Sequence, residues 1–471
     1  MSDTAEPIKF FEKRERAYPK RVWGKYRQLK WVAMIVTLSI YYLAPFLRWD
    51  RGPHAPDQAI LIDMPARRAY FFFIEIWPQE VYYLTGILIL AAVALFFVTS
   101  LAGRVWCGYT CPQTVWTDLF VWVERIVQGD RAKRMKLAKG PMSFEKLWKF
   151  AVTHALWILI GMLTGGAWVF YFNDAPTLLE QIIHLDVPWS VGGWILALTF
   201  STYLMAGFAR EQVCMYMCPY SRFQSAMFDK DTLIIGYDEK RGEPRGKHKK
   251  GESWDGRGDC IDCTLCVQVC PVGIDIRDGL QMECIACGLC VDACNEVMDK
   301  VERPRGLIRY DTTHNQEARL AGKPESSHVM RPRTFWYVSI LSIVGLVMLY
   351  GLMNRSASEL HVLHDRNPLY VTLSDGTIRN GYDIRILNKT HEDMVFSLTV
   401  DGLEGADLRV QAAGDPSADA LLVYADSVGH FRVFVTAPKP GAARSKLTFT
   451  ATTQDETISE TYSGLFLSAG R

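Results

Sequence analysis

Apolar residues fall in clumps along the 471-residue chain rather than being spread through it. Runs at 31–47, 81–101, 150–172, 191–208 and 335–353 each approach the roughly 20 residues needed to cross a hydrocarbon core about 30 Å thick. They predict five transmembrane helices. The stretch 70–77 is also apolar, but it is too short to span and Glu75 interrupts it, so it is expected to lie at the membrane interface.

Beyond residue 353 the pattern changes. The segments 382–386 (Tyr-Asp-Ile-Arg-Ile) and 396–400 (Phe-Ser-Leu-Thr-Val) alternate at period two, which is the strand signal. Turn chemistry at 374–376 (Ser-Asp-Gly) and 379–381 (Arg-Asn-Gly) separates such runs. Residues 354–471 are therefore expected to form an immunoglobulin-like β-sandwich, and because they contain no cysteine it would fold without a disulfide.

Charge orients these elements. The net charge of +1 says little about partners, but its distribution is uneven. A basic head holding Lys9, Lys13, Arg14, Arg16, Lys20, Arg21, Lys25, Arg27 and Lys30 precedes the first run, with no cleavage site after it, so an uncleaved anchor with a cytoplasmic N-terminus is expected. The loop 103–149 carries Arg131, Lys133, Arg134, Lys136 and Lys139, whereas 173–190 has no Lys or Arg. Alternation then predicts a bacterial inner-membrane protein with a cytoplasmic N-terminus (1–30), a four-helix membrane domain (31–230) and a cytoplasmic domain (231–334). A fifth helix (335–353) would lead to a periplasmic domain (354–471). The basic linkers 247–250 and 303–309 suit anionic lipid better than nucleic acid, which is not an expected partner.

All twelve cysteines lie between Cys107 and Cys294. Eight of them read Cys260-x2-Cys263-x2-Cys266-x3-Cys270-Pro271 and Cys284-x2-Cys287-x2-Cys290-x3-Cys294. This is the spacing of bacterial ferredoxins with two 4Fe-4S clusters, in which the fourth cysteine of each run serves the other cluster. Cluster one is thus assigned to Cys260, Cys263, Cys266 and Cys294, and cluster two to Cys284, Cys287, Cys290 and Cys270. The second run ends in Asn295 where Pro is usual, which leaves the ligands intact. Zinc also takes four thiolates, but two interleaved runs of four favour iron and sulfur. Ile261, Val267, Val269, Val272, Ile274 and Ile285 are candidates for an apolar shell around the clusters.

The remaining four cysteines form an internal echo. Cys107-x3-Cys111-Pro112 follows span two and Cys214-x3-Cys218-Pro219 follows span four. A helix would place each pair on one face; the proline instead suits a bend, with a new helix starting after the second cysteine. Either geometry pairs two soft ligands, which select Cu(I), zinc or iron–sulfur clusters. The two pairs are expected to converge on one four-thiolate site, holding copper or a third cluster.

Histidines carry less. His154, inside a span, suits packing as well as ligation, while His361 and His364 are a weak candidate copper pair at three-residue spacing. No nucleotide-binding fingerprint occurs.

The chain resembles the cytochrome c oxidase accessory proteins called CcoG, FixG or RdxA. The resemblance rests on both C-x3-C-P motifs, the segment 231–246 (Asp-Thr-Leu-Ile-Ile-Gly-Tyr-Asp-Glu-Lys-Arg-Gly-Glu-Pro-Arg-Gly), the cysteine block, and 306–311 (Gly-Leu-Ile-Arg-Tyr-Asp). It implies a cupric reductase that serves maturation of a cbb-type oxidase, with copper as substrate or bound ion. A cytoplasmic electron donor and copper chaperones or oxidase assembly factors would be its partners. It also implies catalytic roles for Cys107, Cys111, Cys214 and Cys218. Two other functions fit the same residues: a quinol dehydrogenase module like membrane proteins related to NapH, which lack a comparable outer sandwich, and a non-enzymatic assembly scaffold.

Overall fold

The computed structural model describes residues 16–52, 55–248, 252–326, 328–411 and 418–468. Lys9, Lys13 and Arg14 of the basic head, and Lys249 and Lys250 of the first basic linker, lie outside the described residues. The chain forms two compact units, Met1–Leu47 with Gln58–Met348, and Arg48–Asp57 with Leu349–Arg471.

Among the described residues five helices are long and apolar enough to cross a membrane: Lys25–Phe46, Pro78–Ala102, Phe144–Tyr171, Trp189–Ala209 and Pro332–Met353. The first starts six residues before its apolar run because its N-terminus has a remote cap. The Asp292 carboxylate accepts the backbone N–H groups of Tyr26 (3.2 Å) and Arg27 (2.8 Å), which lack partners within the helix. Gly24 leaves room for that approach, since a Cβ there would lie 2.3 Å from Asp292 Cγ.

The third and fourth spans pack through small residues. A Cβ on Gly161 would sit 3.2 Å from the Thr199 carbonyl oxygen, and one on Gly165 would sit 2.1 Å from Thr202 Oγ1. This is the close backbone approach that a small-x3-small pattern permits between membrane helices. His154 hydrogen-bonds Tyr203 Oη through Nδ1 (3.0 Å) among the rings of Phe150, Trp157 and Phe208, a packing role.

The stretch 70–77 is part of a three-stranded antiparallel sheet, Ile60–Asp63, Arg68–Phe71 and Ile74–Ile76. Glu75 does not break it because its carboxylate is buried against Arg68 (3.2 Å).

A buried ionic group ties the helix Pro112–Val127 to its surroundings. Glu124 is contacted by Arg16 (2.8 Å), Arg134 (2.9 Å) and Arg210 (2.7 Å), and only Arg16 is appreciably exposed. Burial alone would raise the Glu124 pKa, but Arg210, Arg16 and Arg134 outweigh it and hold it below the ordinary carboxylate value. Glu124→Gln should therefore cost about 3–5 kcal/mol in denaturant unfolding, because it strands buried guanidinium groups. The native contribution is complete above the unfolded value of about pH 4.3 and is lost as pH falls through the depressed folded value. A pH-independent loss under about 1 kcal/mol would contradict this account.

In the C-terminal unit, two antiparallel sheets enclose a core that includes Tyr382, Ile384, Phe396, Val433 and Phe449. The expected turn at 374–376 is present, with Gly376 at φ 83° and Asp375 Oδ1 accepting the Thr377 N–H (2.9 Å). The one expected at 379–381 is not. Those residues lie inside the strand Ile378–Asn388. Asn380 spends its turn-forming amide on the other sheet, donating to the Leu467 carbonyl and accepting the Leu467 N–H, both at 3.0 Å. Gly381 leaves space for Asp365, which a Cβ would approach to 2.2 Å.

Candidate iron–sulfur and membrane-edge thiol sites

The two cysteine loops share one backbone conformation. In Cys260–Cys266 the residues flanking the middle cysteine, Asp262 (φ 52°) and Thr264 (φ 56°), are left-handed; in Cys284–Cys290 the matching Ala286 (φ 51°) and Gly288 (φ 75°) are too. The left-handed conformation costs residues other than Gly some strain, so its recurrence at the same two positions of both loops marks one shared loop shape.

The first loop is held from outside. Arg277 binds Asp262 (2.5 Å) and Asp275 (2.6 Å), while Asp259, just before Cys260, pairs with Arg241 (2.5 Å) and Arg303. The strands Ile234–Tyr237 and Ile308–Asp311 pair antiparallel, Tyr237 opposite Ile308, and so bracket the cysteine block from both ends. They come from the two resemblance segments that lack cysteine.

The thiols group across the two runs. Cys294 lies within electrostatic reach of Cys260, Cys263 and Cys266; Cys284 lies within reach of Cys287 and Cys270, and Cys290 of Cys287, Cys284, Cys270 and, least strongly, Cys266. Burial pushes the thiols up, Cys270 to about 11 and Cys266, Cys284 and Cys294 to about 12, so a pocket without a cation favours neutral sulfur. Opposing this, backbone N–H groups point at the sulfurs: those of Val272, Gly273 and Ile274 at Cys270, Ala286 at Cys284, and Ile308 at Cys294. A pocket of buried sulfurs ringed by N–H donors fits an anionic metal–thiolate group, with the metal charge offsetting the desolvation of the thiolates. All twelve cysteines are free of disulfides. Among the described residues no three His, Cys, Asp or Glu side chains close on a single ion.

The C-x3-C-P pairs sit at bends. Cys111 and Cys218 are extended residues directly before the helices Pro112–Val127 and Pro219–Met227, each with its proline in the first turn. The short turns Val105–Tyr109 and Val213–Met217 precede them and end alike, Cys111 N–H bonding the Trp106 carbonyl (3.0 Å) and Cys218 N–H the Val213 carbonyl (2.8 Å). Four residues before each first cysteine the chain takes positive φ, at Gly103 (59°) and Arg210 (42°). The sequence echo is thus a structural repeat.

The two pairs meet. Burial pushes Cys107 up to about 11, with Cys111 and Cys218 adding to the rise, and Cys214 to about 12, with Cys111, Cys107 and Cys218 adding to it. Gln224 reaches Cys107 Sγ at 3.5 Å through Nε2. Gly108 presses this site onto the second cysteine loop, for a Cβ there would lie 2.7 Å from the Ile285 carbonyl oxygen and 3.0 Å from that of Ala286. Cys107 consequently packs in one apolar cluster with Cys270, Cys284, Cys287 and Cys290.

His361 and His364 do not form a site. Both lie in the strand Ser358–His364, where residues three apart point to opposite faces. His361 Nε2 is 3.3 Å from Glu359, and His364 bonds Asn380 (2.7 Å).

Five membrane-length helices, a ferredoxin-type block of eight thiols and a β-sandwich define a membrane-bound iron–sulfur electron-transfer protein. Residues 209–313 match the family described as 4Fe-4S dicluster domain, 84–129 the 4Fe-4S binding domain, and 348–469 the IG-like fold at the C-terminal of FixG. The nitrogen fixation protein FixG of Rhizobium meliloti is 48% identical over 96% of this chain and 92% of its own length. Protein RdxB of Cereibacter sphaeroides is 51% identical (93% and 92% covered), and RdxA of that organism 48% (92% and 92%). The chain belongs to the FixG/RdxA family.

Proposed function

We propose that this protein reduces Cu(II) to Cu(I) at the membrane edge, delivering Cu(I) to copper chaperones or assembly factors for a cbb-type oxidase. The observation that carries the proposal is the packing of Cys107 against the loop Cys284–Cys290, which puts four soft ligands beside a ferredoxin-type domain.

Cys260, Cys263, Cys266 and Cys294 would hold one cluster, and Cys284, Cys287, Cys290 and Cys270 the other. A 4Fe-4S cluster, when bound, supplies one electron at a time. That matches the single electron separating Cu(II) from Cu(I), which a cytoplasmic one-electron donor replaces after each turnover. Cys107, Cys111, Cys214 and Cys218 retain the product, since Cu(I) prefers thiolate ligands. Gly108 keeps the edge thiols close to the second loop, and the apolar residues Val22, Met215 and Ile285 pack around them.

The orientation rests on parity as well as charge. The N-terminal segment and the loops after spans two and four meet at the cysteine sites, through Asp292, Gly108 and Arg104, while the segment Arg48–Asp57 after span one shares a unit with the C-terminal sandwich. Both groupings agree with a cytoplasmic thiol site and a periplasmic sandwich.

Protein purified anaerobically, reduced and freed of excess reductant should reoxidise when Cu(II) is added, with one chelator-trapped Cu(I) formed per electron lost. Clusters that stay reduced would defeat the proposal. The match of residues 84–129 to a 4Fe-4S binding domain favours a second arrangement in which the four edge thiols hold a further cluster. About eight iron atoms per chain support copper at the edge and about twelve support the extra cluster.

A further inference from the structure

Arg104 lies three residues before Cys107 and is 5% exposed. Its guanidinium donates to the Ser221 carbonyl (2.6 Å) and to the Met282 carbonyl. Ser221 follows Cys218 by three residues, and its own hydroxyl donates to the Cys218 carbonyl (2.9 Å). Met282 precedes Cys284 by two. One side chain thus joins the first edge motif, the second edge motif and the entrance to the second ferredoxin loop. Among the described residues no carboxylate pairs with Arg104, in contrast to Arg134 and Arg210, which share Glu124.

A guanidinium out of water with only carbonyl partners is costly unless negative charge lies nearby. The sulfurs of the segments it joins would supply that charge when they ligate a metal. Arg104 stands in the first edge motif and bonds the residue three after Cys218 and the residue two before Cys284. Among the described residues none of its hydrogen bonds goes to the loop Cys260–Cys266 or to Cys294.

We propose that Arg104 is a positioning residue that supplies the fixed positive charge shared by the edge thiol site and the Cys284 cluster, raising the reduction potential of both relative to the Cys260 cluster. A cation close to a redox centre favours its reduced form, which carries one more negative charge. Burial keeps the effect strong, because solvent and salt screen it little. The gradient directs electrons from the Cys260 cluster toward the membrane edge. Its two donor bonds also tie the three segments together.

The inference rests on the cluster assignment proposed above, and the wild-type spectrum separates the two. Full-length protein lacking two EPR-distinct clusters would defeat the assignment; two clusters with unmoved potentials would defeat only the role of Arg104. In an EPR-monitored redox titration, R104Q should move the midpoint of the Cys284 cluster to more negative potential and leave that of the Cys260 cluster in place. R104K should restore the wild-type midpoint. An unchanged midpoint in R104Q, an equal displacement of both clusters, or R104K matching R104Q would overturn the proposal. Should R104Q fail to assemble, R104H replaces it, with the Cys284-cluster midpoint falling more steeply than in wild type between about pH 5 and 8 as the imidazole loses its charge; an unaltered pH slope would overturn the proposal equally.

Discussion

Cys294→Ala should destroy the same cluster as Cys260→Ala, leaving about four of the eight iron atoms and an identical residual EPR spectrum. Cys270→Ala should instead pair with Cys284→Ala. The expectation is counterintuitive from the linear order, since Cys270 is four residues from Cys266 and fourteen from Cys284. It follows from the crossing over of the runs, in which the sulfur of Cys294 lies near Cys260, Cys263 and Cys266, and that of Cys270 near Cys284 and Cys290. Each loss should also loosen the fold, because left-handed Asp262, Thr264 and Ala286 would no longer be held by ligation. If Cys294→Ala and Cys284→Ala leave the same spectrum, each run serves its own cluster and the assignment fails.

Cys107→Ala and Cys214→Ala should each lower the rate of Cu(II) reduction by roughly 100-fold or more, and each should abolish the same bound-metal signal while both ferredoxin clusters persist. The magnitude follows from removing a direct ligand, which exceeds the cost of disturbing an outer partner. Gln224→Leu supplies that comparison, since its amide only reaches the Cys107 sulfur (3.5 Å), and a loss of roughly 10-fold is expected. Rapid reduction in one of the two alanine variants, with its metal signal intact, would show that the pairs work separately.

The C-x3-C-P motifs show how far local chemistry carries. Proline directly after a cysteine forbids a continued helix there and starts a new one, so the bend at Cys111 and Cys218 follows from two residues. The same kind of inference fails at Arg379-Asn380-Gly381, where residues with turn chemistry lie within a strand. The Asn380 amide finds better partners on Leu467 than within its own chain segment. At 70–77, Glu75 looks like an interruption only until Arg68 is placed beside it. His361 and His364 illustrate the opposite error, as spacing suggestive on a helix separates side chains on a strand.

The sequence by itself determined what depends on short-range order: apolar runs long enough to cross a bilayer, thiols at ferredoxin spacing, proline-terminated cysteine pairs and alternating strands. These patterns are legible because helix period, strand period and ligand-loop geometry act over a few residues. Only the tertiary structure decided what depends on segments far apart in the chain. It packed Cys107 against the second cysteine loop, pressed Gly108 onto Ile285, capped the first span with Asp292, and set Arg104 between three cysteine segments. Such contacts leave no periodic trace, because a buried charge is stabilised by whichever partner the fold delivers, and that partner has no fixed sequence distance. The eight-thiol block and the paired C-x3-C-P motifs could therefore be read directly, whereas the contacts that surround those motifs emerged only when the loops were closed.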